Sequence, residues 1–133
     1  MLRRSADFPE KEVQIIIPWA PGGATDLIFR ALAASTEKYL GKAVVIVNKA
    51  GGGGAVGYVE GMKAKPDGYT LVTAVTPLTI LPHQVKTAFT YENFEPVINV
   101  VRDPAMFLVR SEAPWKTVQE FLDQAKKNPG MIS

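Results

Sequence analysis

The 133-residue sequence has no cysteine, which excludes disulfides and thiolate metal sites and leaves the redox compartment open. It has a single histidine, His83, set between Pro82 and Gln84, the setting of a loop or surface residue rather than of a base or a ligand. Runs of one charge are missing as well. The 15 Lys and Arg stand against 13 Asp and Glu, for a net charge of +2, and both signs are spread along the chain. With no basic stripe to track a phosphate backbone, nucleic acid is not an expected partner. No stretch reaches the roughly 18–20 continuous apolar residues of a membrane span, since Val44–Val47 and Leu71–Val75 are strand-sized. G-x-S-x-G, the G-x-x-x-x-G-K-[ST] phosphate loop and H-E-x-x-H are all absent. Asp103 and Glu95 have no carboxylate partner at a spacing that would drive two pKa values apart. The expectation is a protein that is no enzyme and that carries neither metal nor cofactor.

What the chain does have is 47% hydrophobic residues, enough for a core, and glycine in clusters. The chain is organised around Pro18-Trp19-Ala20-Pro21-Gly22-Gly23-Ala24-Thr25-Asp26. Before it, Val13–Pro18 reads as a buried strand; after it, Leu27, Ile28, Ala31, Leu32, Ser35 and Tyr39 recur at helical spacing. The helix is predicted from about Thr25 to Leu40, with Thr25 or Asp26 as its N-cap and Gly41 as its stop. A strand that delivers its C-terminal end to such a turn brings unpaired backbone N–H groups and the helix dipole to one place, a setting for an anion. Asp26 has Arg30 four residues on, so an exposed ion pair competes with ligand contact for that carboxylate. Trp115 is expected in a core or interface, and Trp19, lying in the turn itself, is the better ligand candidate.

The pattern then repeats. Ala43–Asn48 is an unbroken β-branched strand, expected to be buried on both faces of a parallel sheet. It runs into Gly51–Gly54 and a short helix of about Val56–Ala64. Pro66-Asp67-Gly68 marks a turn, and Tyr69–Val75 a third strand ending in a third loop, Thr76-Pro77-Leu78-Thr79. All three loops are predicted at the C-terminal edge of one sheet, where open αβ sheets gather ligands. Further on, Tyr91–Phe94 reads as a helical turn and Pro82 and Pro96 limit anything longer. Glu95–Val101 and Ala105–Arg110 read as two more strands, split by Arg102-Asp103-Pro104, and Thr117–Glu120 as a capping box opening a helix with Val118, Phe121, Leu122 and Ala125 on one face. Asn128-Pro129-Gly130 ends that helix, and Met131-Ile132-Ser133 reads as the start of a strand. Residues 1–10 read as a lead-in that packs at Phe8 and Pro9. Met1-Leu2-Arg3-Arg4 looks like the start of an export signal, yet no apolar segment follows before Ser5-Ala6-Asp7, so no signal peptide is expected here.

Gly52–Gly57 also satisfies G-x-G-x-x-G between a strand and a helix, which makes a fragment of a dinucleotide-dependent enzyme the alternative reading. That reading needs an acidic residue at the end of the next strand. Thr76 stands at that end, and Asp67 precedes the strand, at the wrong edge.

Taken in order, Phe8-Pro9 with Val13–Pro18, Pro21–Asp26, Val47-Asn48-Lys49 with Gly51–Gly57, Pro66–Leu71, Phe94-Glu95-Pro96-Val97 and Thr117–Phe121 resemble one family. It is the receptors of tripartite tricarboxylate transporters, the Bug-type extracytoplasmic solute-binding proteins. The resemblance runs from Phe8 to Ser133 and implies an α/β, type II periplasmic-binding-protein-like fold, a mostly parallel sheet flanked by helices. It implies a first lobe over residues 1–102, of three strand–loop–helix units, and an incomplete second lobe over 103–133. The protein would be periplasmic, bind a small organic carboxylate (dicarboxylate, tricarboxylate, amino acid or aromatic acid) and hand it to membrane permease subunits. By position, Trp19, Pro21, Gly22, Gly23, Thr25 and Asp26 would hold a ligand carboxylate, Gly52, Gly53 and Gly54 would let the second turn approach it, and Thr76 and Pro77 would reach the cleft. Lacking a complete second lobe, the chain is expected to bind carboxylates at least about 100-fold more weakly than an intact receptor and to self-associate through bare strand edges.

Overall fold

The computed structural model describes residues 8–102, 104 and 106–131. Two compact units divide the chain, Met1–Pro96 and Val97–Ser133.

In the first unit the β-branched run Val13–Ile17 forms β1, the middle strand of a three-stranded sheet of order β2-β1-β3. Both neighbours, β2 (Val44–Asn48) and β3 (Thr70–Val72), run parallel to it. Ile15 pairs with Ile46 on one side and Leu71 on the other, so these three side chains share one face. Against that face packs α1 (Ala24–Leu40) through Phe29, Ala33 and Leu40. Ile16 pairs with Val72, which turns to the opposite face, where α2 (Ala55–Lys63) and α3 (Pro77–Gln84) build a second cluster from Tyr58, Val59, Met62, Leu78 and Leu81 with Phe89 and Phe94. Ile16 and Ile17 are buried to 1% and 0% exposure, each worth about 1.5–3 kcal/mol over an exposed position. The chain thus crosses from β1 to β2 over one face and back to β3 over the other, and the strand order reverses beside β1. In open parallel sheets that reversal opens a crevice at the C-terminal strand ends.

Several expectations change. The N-cap of α1 is Gly23, without a side-chain cap, and Asp26 lies within the first helical turn; the glycine's extended backbone starts the helix two to three residues earlier than a side-chain cap would. β2 is not buried on both faces: Val45 is exposed, because the strand pairs only with β1 among the described residues and α1 covers one side. The third strand stops at Val72. Thr76-Pro77-Leu78-Thr79 is not a loop but the start of α3, with Pro77 at the first position, where its missing N–H costs nothing. Pro82 lies inside α3 rather than limiting it.

Single 3-10 turns occur at Gly52–Gly54 and Tyr91–Asn93, the latter closed by a reciprocal Thr90–Asn93 capping box. In the second unit, 97–101 and 106–110 are not strands; they find no partner ladder among the described residues, and Val97, Ile98, Met106 and Leu108 stand exposed. The expected break at Asp103 and the strand start at Ala105 and Ile132-Ser133 lie outside the described residues, as do residues 1–7 of the lead-in. The helix α4 (Val118–Lys127) begins as read: Thr117 Oγ1 accepts from the Glu120 N–H at 3.2 Å, and Glu120 Oε2 reaches back to the Lys116 N–H at 2.7 Å. Phe121 meets Phe107 and Trp115 edge-on, and this places Trp115 in a local aromatic cluster.

Candidate functional site at the strand ends

The C-terminal end of β1 leads into Pro18–Gly23, that of β2 into Lys49–Gly54, and that of β3 into Thr73–Thr76, so the three connections leave one edge of the sheet. The first turn is braced from within. Gly22 adopts φ +87° and donates its N–H to Asp26 Oδ2 at 2.9 Å. The same oxygen accepts from Arg30 Nε at 2.9 Å, and Oδ1 accepts from Asn48 Nδ2 at 2.9 Å. Asn48 Nδ2 also donates to the Trp19 carbonyl at 3.1 Å, and its Oδ1 accepts from Arg30 Nη2 at 2.9 Å. Arg30, the Gly22 amide and Asn48 together hold the Asp26 carboxyl well below the usual carboxylate range. Buried at 3% exposure, the carboxylate spends both oxygens inside the protein.

The amides of the α1 first turn have no side-chain cap. Leu27 is the first residue whose N–H returns to Gly23, which leaves the amides before it as free donors beside Gly22 and Gly23. Pro21, Gly22 and Gly23 are exposed and Thr25 is half-buried.

The second turn meets the first through Trp19. A Cβ built on Gly54 would stand 3.3 Å from the Trp19 ring and 3.0 Å from Tyr58. One built on Gly57 would stand 2.8 Å from Pro18 Cα and 3.1 Å from the Lys49 carbonyl, so α2 rests directly on the end of β1. Gly52 and Gly53 are exposed, and a Cβ on Gly53 would touch Leu81 of α3. The structure therefore brings Trp19, Gly54 and the Gly22–Gly23 turn to one place. Thr76 is exposed and its carbonyl accepts from Thr79 and Ile80, so it opens α3, and it is Leu81 of α3 that reaches the second turn. A concavity of about 380 Å³ lined by Pro82, Lys86, Phe89 and Asn93 contains none of these residues.

Asn48 and Gly57, which the sequence places in the family pattern but not among the ligand-binding candidates, both belong to this arrangement. An amide side chain closing an otherwise β-branched strand was the signal for the first; a glycine three residues past the turn was the signal for the second. Two further hydroxyls, of Tyr58 and Thr73, are buried without a hydrogen-bond partner among the described residues. Burial pushes the Tyr58 phenol up, against a smaller pull from the Val75 backbone. Among the described residues there is no group of three His, Cys, Asp or Glu that could hold a metal ion, and no helix is long and apolar enough to cross a membrane. Asp67 precedes β3 and accepts from the Tyr69 N–H, while Thr73 follows β3, so the acidic residue of a dinucleotide site is not at the strand end.

This open parallel sheet with glycine turns at one edge is shared with solved periplasmic binding proteins, and the fold is theirs. It is similar over 90% of its length to a TctC solute binding protein from Polaromonas, with a TM-score of 0.72 and 38% identity, covering 42% of that chain. It is similar in the same way to MatC from Rhodopseudomonas palustris with bound malate, with a TM-score of 0.70 and 31% identity over 90% of this chain and 42% of that one. The chain belongs to the family described as tripartite tricarboxylate transporter family receptor, whose family model matches residues 28–133. Among curated relatives, a UPF0065 protein of Cupriavidus necator is 35% identical over 95% of this chain and 39% of its own length, and BugT of Bordetella pertussis 32% identical over 97% and 41%. The chain spans about two fifths of the length of these relatives.

Proposed function

We propose that this chain supplies the first lobe of an extracytoplasmic receptor that binds a small organic carboxylate and delivers it to permease subunits of a tripartite tricarboxylate-type transporter. The observation that carries this reading is the uncapped N-terminus of α1, where the amides between Gly23 and Leu27 face no side-chain acceptor. Asp26 is spent on holding the turn, and so a ligand carboxylate meets N–H donors there rather than a competing anion. Thr25 adds a hydroxyl, Trp19 a flat wall, and Gly52–Gly54 a backbone without side chains where the second turn comes close. Malate and adipate, the ligands named for two R. palustris neighbours, are both dicarboxylates. Residues 103–133 then open the second lobe, and the periplasm is the compartment in which such a receptor works.

Physically, a receptor of this kind gains affinity when ligand touches both lobes in a closed form, so binding shifts an open–closed equilibrium. Calorimetric titration and thermal shift with malate, adipate and NAD separate the readings. Heat of binding with a dicarboxylate, abolished in Gly22→Val, supports the receptor; stabilisation by NAD alone overturns it.

A further inference from the structure

We infer that Asn48 is the positioning residue that sets the first glycine turn against the second. The inference rests on the receptor reading for its functional consequence and on the hydrogen bonds alone for its structural one. Asn48 ends β2, one residue before the second turn begins, and its single amide is bonded on every side. Nδ2 donates to the Trp19 carbonyl at 3.1 Å and to Asp26 Oδ1 at 2.9 Å, while Oδ1 accepts from Arg30 Nη2 at 2.9 Å. Asp26 in turn takes the Gly22 N–H at 2.9 Å. Both ends of the first turn, Trp19 and Gly22, are thus tied through Asn48 and Asp26 to the last residue of the neighbouring strand. Lys49 continues the ladder, donating its N–H to the Ile17 carbonyl at 2.8 Å.

Asp26 and Arg30 would satisfy each other without Asn48, since Asp26 Oδ2 already holds both Arg30 Nε and the Gly22 amide. Asn48 supplies the bond to Asp26 Oδ1 and, beyond the charge pair, the bond to the Trp19 carbonyl, and the Trp19 ring is the group that leans on Gly54 of the second turn. A side-chain amide is the one neutral group that can donate to a carbonyl and a carboxylate while accepting from a guanidinium. Asp at this place would put two carboxylates in contact, and an apolar residue would leave the Trp19 carbonyl unpaired. The spacing between the turns, and with it the geometry offered to a carboxylate, follows from this one side chain.

The test uses the full chain in a Trp115→Phe background, so that Trp19 is the only tryptophan. Two variants are compared with the parent, Asn48→Ala and the exchange Asp26→Asn with Asn48→Asp. The exchange keeps a carboxylate on Arg30 and an acceptor for Gly22, yet has no donor for the Trp19 carbonyl. It is expected to melt within a few degrees of the parent, to show raised acrylamide quenching of Trp19, and to bind malate or adipate about 10-fold more weakly. Asn48→Ala is expected to show the same quenching and the same loss. Quenching and affinity that return to parental values in the exchange variant would overturn the inference, because Asn48 would then act only through the charge pair. If the parent binds neither dicarboxylate, malate and adipate fall as ligands of this lobe, while quenching still decides whether Asn48 holds Trp19.

Discussion

Gly22 and Gly23 stand side by side in one turn and answer to different constraints. Gly22 has φ +87° with nothing within 4 Å of a built Cβ, whereas Gly23 has φ −77° in the extended N-cap position. Gly22→Ala is therefore expected to cost about 1–2 kcal/mol from backbone strain alone, and Gly23→Ala about 0.5–1 kcal/mol as a poorer N-cap, as read by urea denaturation. Asp26 adds a pH dependence. Its folded pKa lies below the ordinary 3.8 because the Arg30, Gly22 and Asn48 bonds favour the charged form. Its contribution to stability is present in full above 3.8 and is lost as pH falls toward the lowered value. Urea midpoints between pH 6 and pH 3 should fall more steeply for the parent than for Asp26→Asn. Tyr58 makes the opposite case: its hydroxyl is buried with no partner at hydrogen-bond distance among the described residues and only the smaller pull of the Val75 backbone, so Tyr58→Phe is expected to change stability by no more than about 1 kcal/mol in either direction, in the same assay.

At the scale of elements, the seat of α2 on the end of β1 decides where the second turn lies. The helix can approach this closely only because Gly57 has no side chain; an added Cβ would meet the backbone of Pro18 and the carbonyl of Lys49, neither of which can swing aside. Gly57→Ala is expected to cost about 1–3 kcal/mol, seen as a drop in the thermal midpoint, and to weaken any dicarboxylate binding by moving Gly52–Gly54 off Trp19. α4 stands on local chemistry instead. Thr117 caps it, Glu120 reaches back to Lys116, and Lys126 and Lys127 lie in its last turn. Removing the cap by Thr117→Ala should destabilise α4 by about 1 kcal/mol, measured as faster amide exchange in Val118–Leu122 with the first unit unaffected.

For the whole molecule, the two units differ in how much of their apolar surface they bury. The first carries a sheet with helices packed on both faces. The second exposes Val97, Ile98, Met106 and Leu108 at 77–78%, a run of apolar side chains that water does not favour. Sedimentation of the chain is expected to show concentration-dependent self-association, abolished when Ile98 and Leu108 are both changed to Lys; a monomer at high concentration counts against this surface as the cause.

Local chemistry alone determined a good part of this protein. Val13–Ile17 reads as a strand because β-branched residues crowd together there; α1 ends at Gly41 because a left-handed residue stops a helix, with φ +66° as found. The parallel βα repeat, the gathering of loops at one edge and the family resemblance all follow from such short-range signals and their order. What the tertiary structure decided are matters of partners distant in sequence. Asp26 was legible as an i, i+4 partner of Arg30, but its burial and its bond to Asn48 required β2 to lie beside β1. Thr76-Pro77 reads as a loop, and the packing of Leu78 and Leu81 on Tyr58 and Gly53 makes it a helix start instead. The apolar runs at 97–101 and 106–110 have strand composition, yet composition cannot make a strand without a ladder to join. Backbone propensity is carried within a few residues; pairing, burial and the spacing of the two glycine turns are carried between them.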